Sequence, residues 1–446
     1  MGRPVMVPRG GRVPNDRHII VVGLGFGDEG KGATVDALCA AGGTSAVVRF
    51  NGGAQAAHNV VADGVHHTFA QFGSGTLTGT PTYLSDRMLV EPIALAAEAE
   101  DLEHKGVPDP LALLTVHPDA LLTTPVHVAA NRTREDLRGG GRHGSCGRGI
   151  GETTWYDLAW QSRARPGDQV GNLSSPGRAT EPPLRVGDCR EPLVLRRKLD
   201  ALQQFYQPLL SLGDHRVPSV DAMTAMYREF AGAVRMADDG YLGGLADSGR
   251  LIFEGAQGVL LDEWRGFHPY TTWSTTTPAN ARALLAGLGQ PAGYVLGVLR
   301  SYQTRHGAGP LPSETVDTAM MTPERHNDTG TYQGGWRVGH LDPVALRYAI
   351  AACQGVDGLA VTHLDTTGTG QFVEEYCYGG HRVRRLPLGA ARDLTHQGRL
   401  TTLTQSCTTV LGRLPTRQDE LADRIEGMLG VPVVHTADGP DRKNRT

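Results

Sequence analysis

The sequence predicts an α/β fold with a large, mostly parallel central sheet, flanked by helices and carrying inserted helical and loop subdomains. Three observations predict it. Short apolar runs rich in β-branched residues recur along the chain, each followed by a polar, glycine-rich or threonine-rich segment, as expected of strands buried on both faces. The first run leads into a glycine-dense loop and a helix start, the opening of a βαβ unit. The chain has 446 residues, 39% of them hydrophobic, enough to bury a substantial core.

The elements follow in order. His18–Gly23 (HIIVVG) is a first strand, Lys31–Ala41 a helix, Ala46–Phe50 (AVVRF) a second strand, and Val60–Val61 begin a third. Arg163–Arg190 is rich in Pro, Gly and Arg and shows little periodicity, so it reads as a surface insertion. Leu193–Leu212 and Val220–Ala237 are expected helices. Leu251–Glu254, Gly293–Leu299 and Gly358–Thr362 are later strands. Nothing cuts the chain into independent units. Residues 18–442 are therefore expected to form a single domain with a partly helical insertion over 163–240, after a flexible lead-in over 1–17. That lead-in is basic but has no apolar core, so it is not read as a secretory signal.

Composition narrows the function classes. Lys plus Arg number 43 against 47 Asp plus Glu, for a net charge of −4. This excludes a polybasic nucleic-acid binder and a disordered chain. No apolar run approaches the ~18 residues of a membrane span. The six cysteines are scattered, without a CxxC or zinc-ligand spacing, so reduced thiols and a cytoplasmic location are expected. Only Lys31, Lys105, Lys198 and Lys443 are lysine; the remaining basic residues are arginine. Codon bias explains most of that, but a retained lysine marks a place for a compact, flexible charge.

Lys31 occupies such a place. Gly25-Phe26-Gly27-Asp28-Glu29-Gly30-Lys31-Gly32 has the GxxxxGK spacing between a strand and a helix. Such a loop aims backbone N–H groups and a helix N-terminus at phosphates, and the ammonium reaches the outer phosphates. This makes the fold P-loop-NTPase-like; the plain alternative is a glycine-rich turn without a ligand. The usual Ser/Thr after the lysine is replaced by Gly32, so a magnesium ion needs another ligand, and Asp28 is the carboxylate in reach.

The string GDEGKG resembles the signature of the adenylosuccinate synthetase family, GTP-dependent enzymes that join aspartate to IMP. The resemblance recurs in order along the chain. Asn51–His58 (NGGAQAAH), Gly147–Gly151 (GRGIG), Phe253–Gly258 (FEGAQG) and Pro269–Thr272 (PYTT) are similar to family segments. So are Thr304-Arg305 with Gly307–Pro310, Thr362–Asp365 (THLD) and Gly439–Arg442 (GPDR).

The resemblance implies chemistry as well as fold. Asp28 would remove the purine N1 proton and bind Mg²⁺, and His58 would donate to the charge developing at O6. Gly27, Glu29, Gly30, Lys31 and Gly32 would hold the GTP phosphates, and the Ala57 backbone would supply a second oxygen to Mg²⁺. Asp365 would read guanine, beside His363, Gly439 and Pro440. Gln55, Cys146, Gln257, Thr272, Arg305, Thr329 and Arg337 fall at substrate-binding positions. Arg148 is given only a loop role. A homodimer is implied, with small-molecule substrates and neither nucleic acid nor membrane as partner.

Departures from the family pattern cluster on the acceptor side. Gln55 stands in place of asparagine, and Ser145-Cys146 in place of a Thr-Thr pair at the IMP phosphate. The family's trans-donated arginine falls at Trp160 or Gln161, with Arg163 and Arg165 close enough to substitute. The aspartate loop is longer and keeps only Arg337 of an arginine run, whereas two carboxylates call for cationic, preferably bidentate partners. Trp155, Trp160, Trp264, Trp273 and Trp336 lie near these segments and suggest an aromatic pocket surface, or simply packing. Three readings remain open: an adenylosuccinate synthetase acting on IMP and L-aspartate; a specialised relative using a modified purine nucleotide or nucleoside, or another amine; and an inactive GTP-binding regulator.

Overall fold

The computed structural model describes residues 13–142, 144–170, 173–316, 331–366 and 370–446. The core is a nine-stranded sheet. In chain order its strands are β1 (Ile19–Gly23), β2 (Thr44–Arg49), β3 (Thr82–Leu84), β4 (Leu114–Val116), β5 (Arg235–Met236), β6 (Arg250–Gly258), β7 (Tyr294–Arg300), β8 (Gly358–Thr362) and β9 (Val433–Thr436). Their spatial order is β5-β4-β3-β2-β6-β1-β7-β8-β9. Every neighbouring pair is parallel.

Strand β1 is central because it is apolar on both faces. Ile20 and Val22 join one core, which also holds Phe253, Val295 and Val361. Ile19 and Val21 join another with Val35, Leu38 and Val47 of the opposite layer. Strands β2 to β5 lie to one side of β1 and β7 to β9 to the other, so the chain reverses direction of travel at β1. A crevice opens beyond the carboxyl ends of parallel strands at such a switch point. The loop after β1 occupies it and feeds helix α1 (Lys31–Ala40).

The expected central strands stand where the apolar runs place them. Val60–Val61 belong instead to an antiparallel hairpin, 58–62 with 65–69, outside the central sheet. The helix expected over 220–237 stops at Ala233, because Val234 turns extended and Arg235–Met236 pair with β4 as the sheet's outermost strand. The other expected helix runs from Pro192, a residue suited to a first turn, to Leu210. Among the described residues no helix is long and apolar enough to cross a membrane.

Candidate functional site

A cleft of about 1200 Å³ opens at the carboxyl ends of the central strands. The phosphate loop forms its floor. Gly30 sits at φ 93°, a left-handed conformation that glycine adopts without strain, and this turns the chain into α1. Gly32 is required for a different reason. A Cβ there would lie 2.6 Å from the Cβ of His58 and 2.9 Å from Ser74 Oγ. The hydroxyl common at this position in phosphate loops is thus excluded by the close approach of His58.

His58 begins the hairpin beside α1 and is buried. Its Nδ1 lies 2.6 Å from Glu254 Oε1. The Ser74 amide donates to the other oxygen at 2.9 Å, and the Ser74 hydroxyl also donates to the carboxylate. Glu254 is on β6 directly opposite Arg49 of β2. Burial pushes the Glu254 carboxyl up, but His58, Arg49 and Ser74 together bring it down to about 2. It is therefore an acceptor only, so His58 Nδ1 carries the proton and Nε2 is the free ring atom. Burial pulls His58 below its ordinary value, with Glu254 opposing. His58 can donate from Nε2 only as an imidazolium, the form that Glu254 stabilises.

Asp28 faces the cleft from the loop, its side chain a quarter exposed. Burial raises its carboxyl above the ordinary range, with Arg300 and His306 opposing. Such a shift makes the carboxylate a stronger base than an ordinary aspartate. The donor set also fits magnesium. Among the described residues no group of three or more His, Cys, Asp or Glu could cage an ion, whereas magnesium is commonly held by one or two carboxylates together with substrate phosphates and water. Asp28 and the exposed Ala57 both line the cleft.

The cleft gathers most of the residues singled out from the sequence. Gly27, Gly30, Lys31 and Gly32 line its floor, and His363, Asp365, Gly439 and Pro440 one end. Gln55, Cys146, Gln257, Thr272 and Arg305 line the other walls. The side-chain amide of Gln55 and Oε1 of Gln257 have no hydrogen-bond partner among the described residues. Cys146 presents a neutral thiol, pushed up by burial. His363 is held well below its ordinary value by burial and is therefore neutral, with Nδ1 2.9 Å from Thr362 Oγ1.

Some expected residues do not face the cleft. The Glu29 side chain turns inward beneath the loop, where it accepts from the amides of Gly25 (2.9 Å) and Gly27 (2.8 Å) and from Lys31 Nζ (2.7 Å). It thereby occupies one of the three Lys31 donors. Arg337 is committed to Glu314 (2.8 and 2.5 Å) and to the carbonyls of Gly307 (2.9 Å) and Gly309 (2.8 Å). Arg337 stands opposite Arg305, and these acceptors lie just beyond that strand, within reach of its guanidinium. Arg305 does line the cleft, with donors spent on the carbonyls of Ala308, Pro310 and Tyr270. Thr329 lies outside the described residues. Trp160, Gln161, Arg163 and Arg165 do not line the cleft of their own chain; Trp264 and Trp273 do. Trp155 packs against Phe205 and Tyr206 in a separate core.

Three residues at the site were not singled out from the sequence: Glu254, Arg300 and His306. A glutamate inside the otherwise apolar run LIFE was the one available signal, since a buried strand tolerates a carboxylate only with partners. Arg300 and His306 flank the recognised Thr304-Arg305 segment and carry no signal of their own.

Comparison with known proteins adds the family. The family model described as adenylosuccinate synthetase matches residues 20–446. The chain is 35% identical to the adenylosuccinate synthetase of Alkalilimnicola ehrlichii over 445 residues, covering 96% of this chain and 97% of that one. It is 32% identical to that of Neisseria gonorrhoeae over 446 residues, with coverage of 96% and 97%. The fold matches fully ligated adenylosuccinate synthetase from Plasmodium falciparum at a TM-score of 0.77 and 22% identity, covering 96% and 99% of the chains. It also matches a cyanophage S-2L succinoaminodeoxyadenylate synthetase, bound to dGMP and to dATP as an energy donor, at 0.59 and 18%, covering 97% and 95%.

Proposed function

The chain belongs to the adenylosuccinate synthetase family, and we propose that its cleft activates the 6-oxo group of IMP, or an IMP-like purine, with GTP and then joins C6 to the amine of L-aspartate. GTP-dependent C–N bond formation is the activity of this family. An amide-like oxygen leaves poorly, so it is first phosphorylated. Asp28 takes the N1 proton as O6 attacks the γ-phosphorus, and GDP departs. His58, as an imidazolium held by Glu254, donates to the charge on O6. The aspartate amine then adds to C6, the C6–O bond breaks, inorganic phosphate leaves, and the amine gives up a proton.

Lys31 and the amides of Gly30 and Gly32 hold the GTP phosphates, Asp365 accepts from guanine, and His363, Gly439 and Pro440 wall the base. Mg²⁺ would be held by the Asp28 carboxylate and the Ala57 carbonyl, where it offsets phosphate charge. Gln257 and Thr272 face the purine nucleotide. The reading includes a cytoplasmic homodimer. The observation that carries it is the placement of Asp28, Lys31 and the His58–Glu254 pair around one cleft. The test is phosphate release from GTP with Mg²⁺. Release that requires both IMP and aspartate supports the reading, and none under saturating concentrations of both refutes it.

A second reading, a relative specialised for a different purine or amine, is favoured by the acceptor wall. Gln55, Cys146 and Gln257 present neutral groups there, and Arg337 is already engaged by Glu314 and two backbone carbonyls. Turnover with a modified purine nucleotide or nucleoside, and not with IMP, distinguishes it. GTP binding without turnover on any acceptor points to an inactive regulator.

A further inference from the structure

Asp28 holds φ at 60°, a left-handed conformation that aspartate adopts more readily than most residues with a side chain, though still at some cost. Two side chains from a distant part of the chain meet it there. Arg300 Nε donates to the Asp28 carbonyl oxygen at 2.5 Å. His306 Nε2 lies 3.5 Å from Asp28 Oδ2. Both rest on one indole. The His306 ring meets Trp336 edge-on, with centroids 4.7 Å apart, and the Arg300 guanidinium lies 5.3 Å from the Trp336 ring and 5.3 Å from that of Tyr302.

The backbone sets this arrangement. Residues 303–306 and 336–339 form an antiparallel pair in which His306 stands directly opposite Trp336. His306 Nδ1 and Trp336 Nε1 are buried and have no hydrogen-bond partner among the described residues. No hydrogen bond from Nδ1 therefore orients the imidazole. The aromatic contact does, and it leaves Nε2 turned to Asp28. A ring edge and a cation are both favourable against an indole, so one tryptophan can brace both contacts at once.

We propose that Arg300 and His306, braced on Trp336, are positioning residues for Asp28: Arg300 fixes its main chain and His306 stops rotation of its carboxylate. The inference rests on the reading of Asp28 as the base. A carboxylate that must face both a metal ion and the purine N1–H loses its reaction geometry if it is free to turn. Misplacement of a reacting group by ~1 Å costs on the order of a hundredfold in rate.

The test uses the full chain, with whichever purine and amine the wild type turns over, and the variants His306→Leu, His306→Gln and Trp336→Ala. His306→Leu should lower kcat by roughly 30- to 100-fold and leave KM for GTP and for the purine within about twofold of wild type. His306→Gln, whose amide N–H can reach Oδ2, should recover most of kcat. Near wild-type kcat in His306→Leu, equal losses in the Leu and Gln variants, or a loss confined to KM overturns the proposal. Crystal structures supply a readout that needs no turnover. Asp28 should leave its left-handed backbone conformation, or its carboxylate should rotate, in His306→Leu and in Trp336→Ala. An unmoved Asp28 in His306→Leu overturns the proposal, whereas absence of turnover in the wild type overturns the functional reading and leaves this geometric test standing.

Discussion

Replacing Glu254 with glutamine keeps the shape of the side chain and removes its charge. The wild-type carboxylate accepts from His58 Nδ1–H, from the Ser74 amide and from the Ser74 hydroxyl. Glutamine offers one oxygen and one NH₂, so either Ser74 or His58 meets a donor in place of an acceptor. The cost follows from the titration of the carboxyl, about 2 in the fold against an ordinary 4.5. At 1.36 kcal/mol per unit, this is on the order of 3 kcal/mol at neutral pH. Its folded value lies below its unfolded value, so this stability is fully present above pH 4.5 and is lost as pH falls towards about 2. Urea unfolding of wild type and Glu254→Gln at a series of pH values should therefore show a gap that is widest near neutrality and narrows on acidification. Turnover should fall by about 10² or more, because the His58 imidazolium loses its counter-charge. A gap that is constant with pH, or widens in acid, would refute the account of Glu254 as a buried anion. A double-mutant cycle with His58→Asn isolates the pairwise part.

Other outcomes follow from the same geometry. Gly32→Ser restores a common phosphate-loop hydroxyl yet should lose activity and about 1–3 kcal/mol of stability, since its Cβ would meet that of His58 at 2.6 Å; thermal melts and GTP turnover check this. Asp28→Asn should abolish turnover while GTP binding, followed by calorimetry, persists. Because burial raises the Asp28 carboxyl and the base must be ionised, the acid limb of the wild-type kcat/KM profile, which reports the free enzyme, should lie above the ordinary aspartate range. Arg442 holds the buried Asp36 by two bonds of 2.7 Å. Arg442→Ala should cost about 2–3 kcal/mol at pH 7, and the deficit should shrink in acid as Asp36, already raised by burial, takes a proton.

What the sequence made legible was what is local or buried on both faces. Strands β1, β2, β6, β7 and β8 announce themselves as apolar runs because no face of them meets water. Strands β3, β4 and β9 sit towards the sheet edges and span three or four residues, too few for any periodicity to register. Asp28 and Lys31 lie within one contiguous loop, and His58 within a second short segment, so motif spacing finds them. Glu254, Arg300 and His306 reach the same point from strands hundreds of residues away, and their roles exist only once the sheet is assembled. Arg337 shows what sequence leaves out. Its residue type suits a carboxylate clamp, but only the fold shows that its guanidinium donates to Gly307, Gly309 and Glu314.

The position of β1 has a consequence for how the protein comes into being. Ile19 pairs with Ile252 on one side and Tyr294 on the other. At a synthesis rate of roughly 5–20 residues per second, the first strand leaves the ribosome on the order of ten to fifty seconds before either neighbour exists. During that interval an uninterrupted apolar strand has both edges unpaired, a template for association with other chains. Closing loops of this length also makes folding slow. The nascent chain is therefore expected to depend on holding chaperones until β7 is made, and the cleft beyond the carboxyl end of β1 forms only after that.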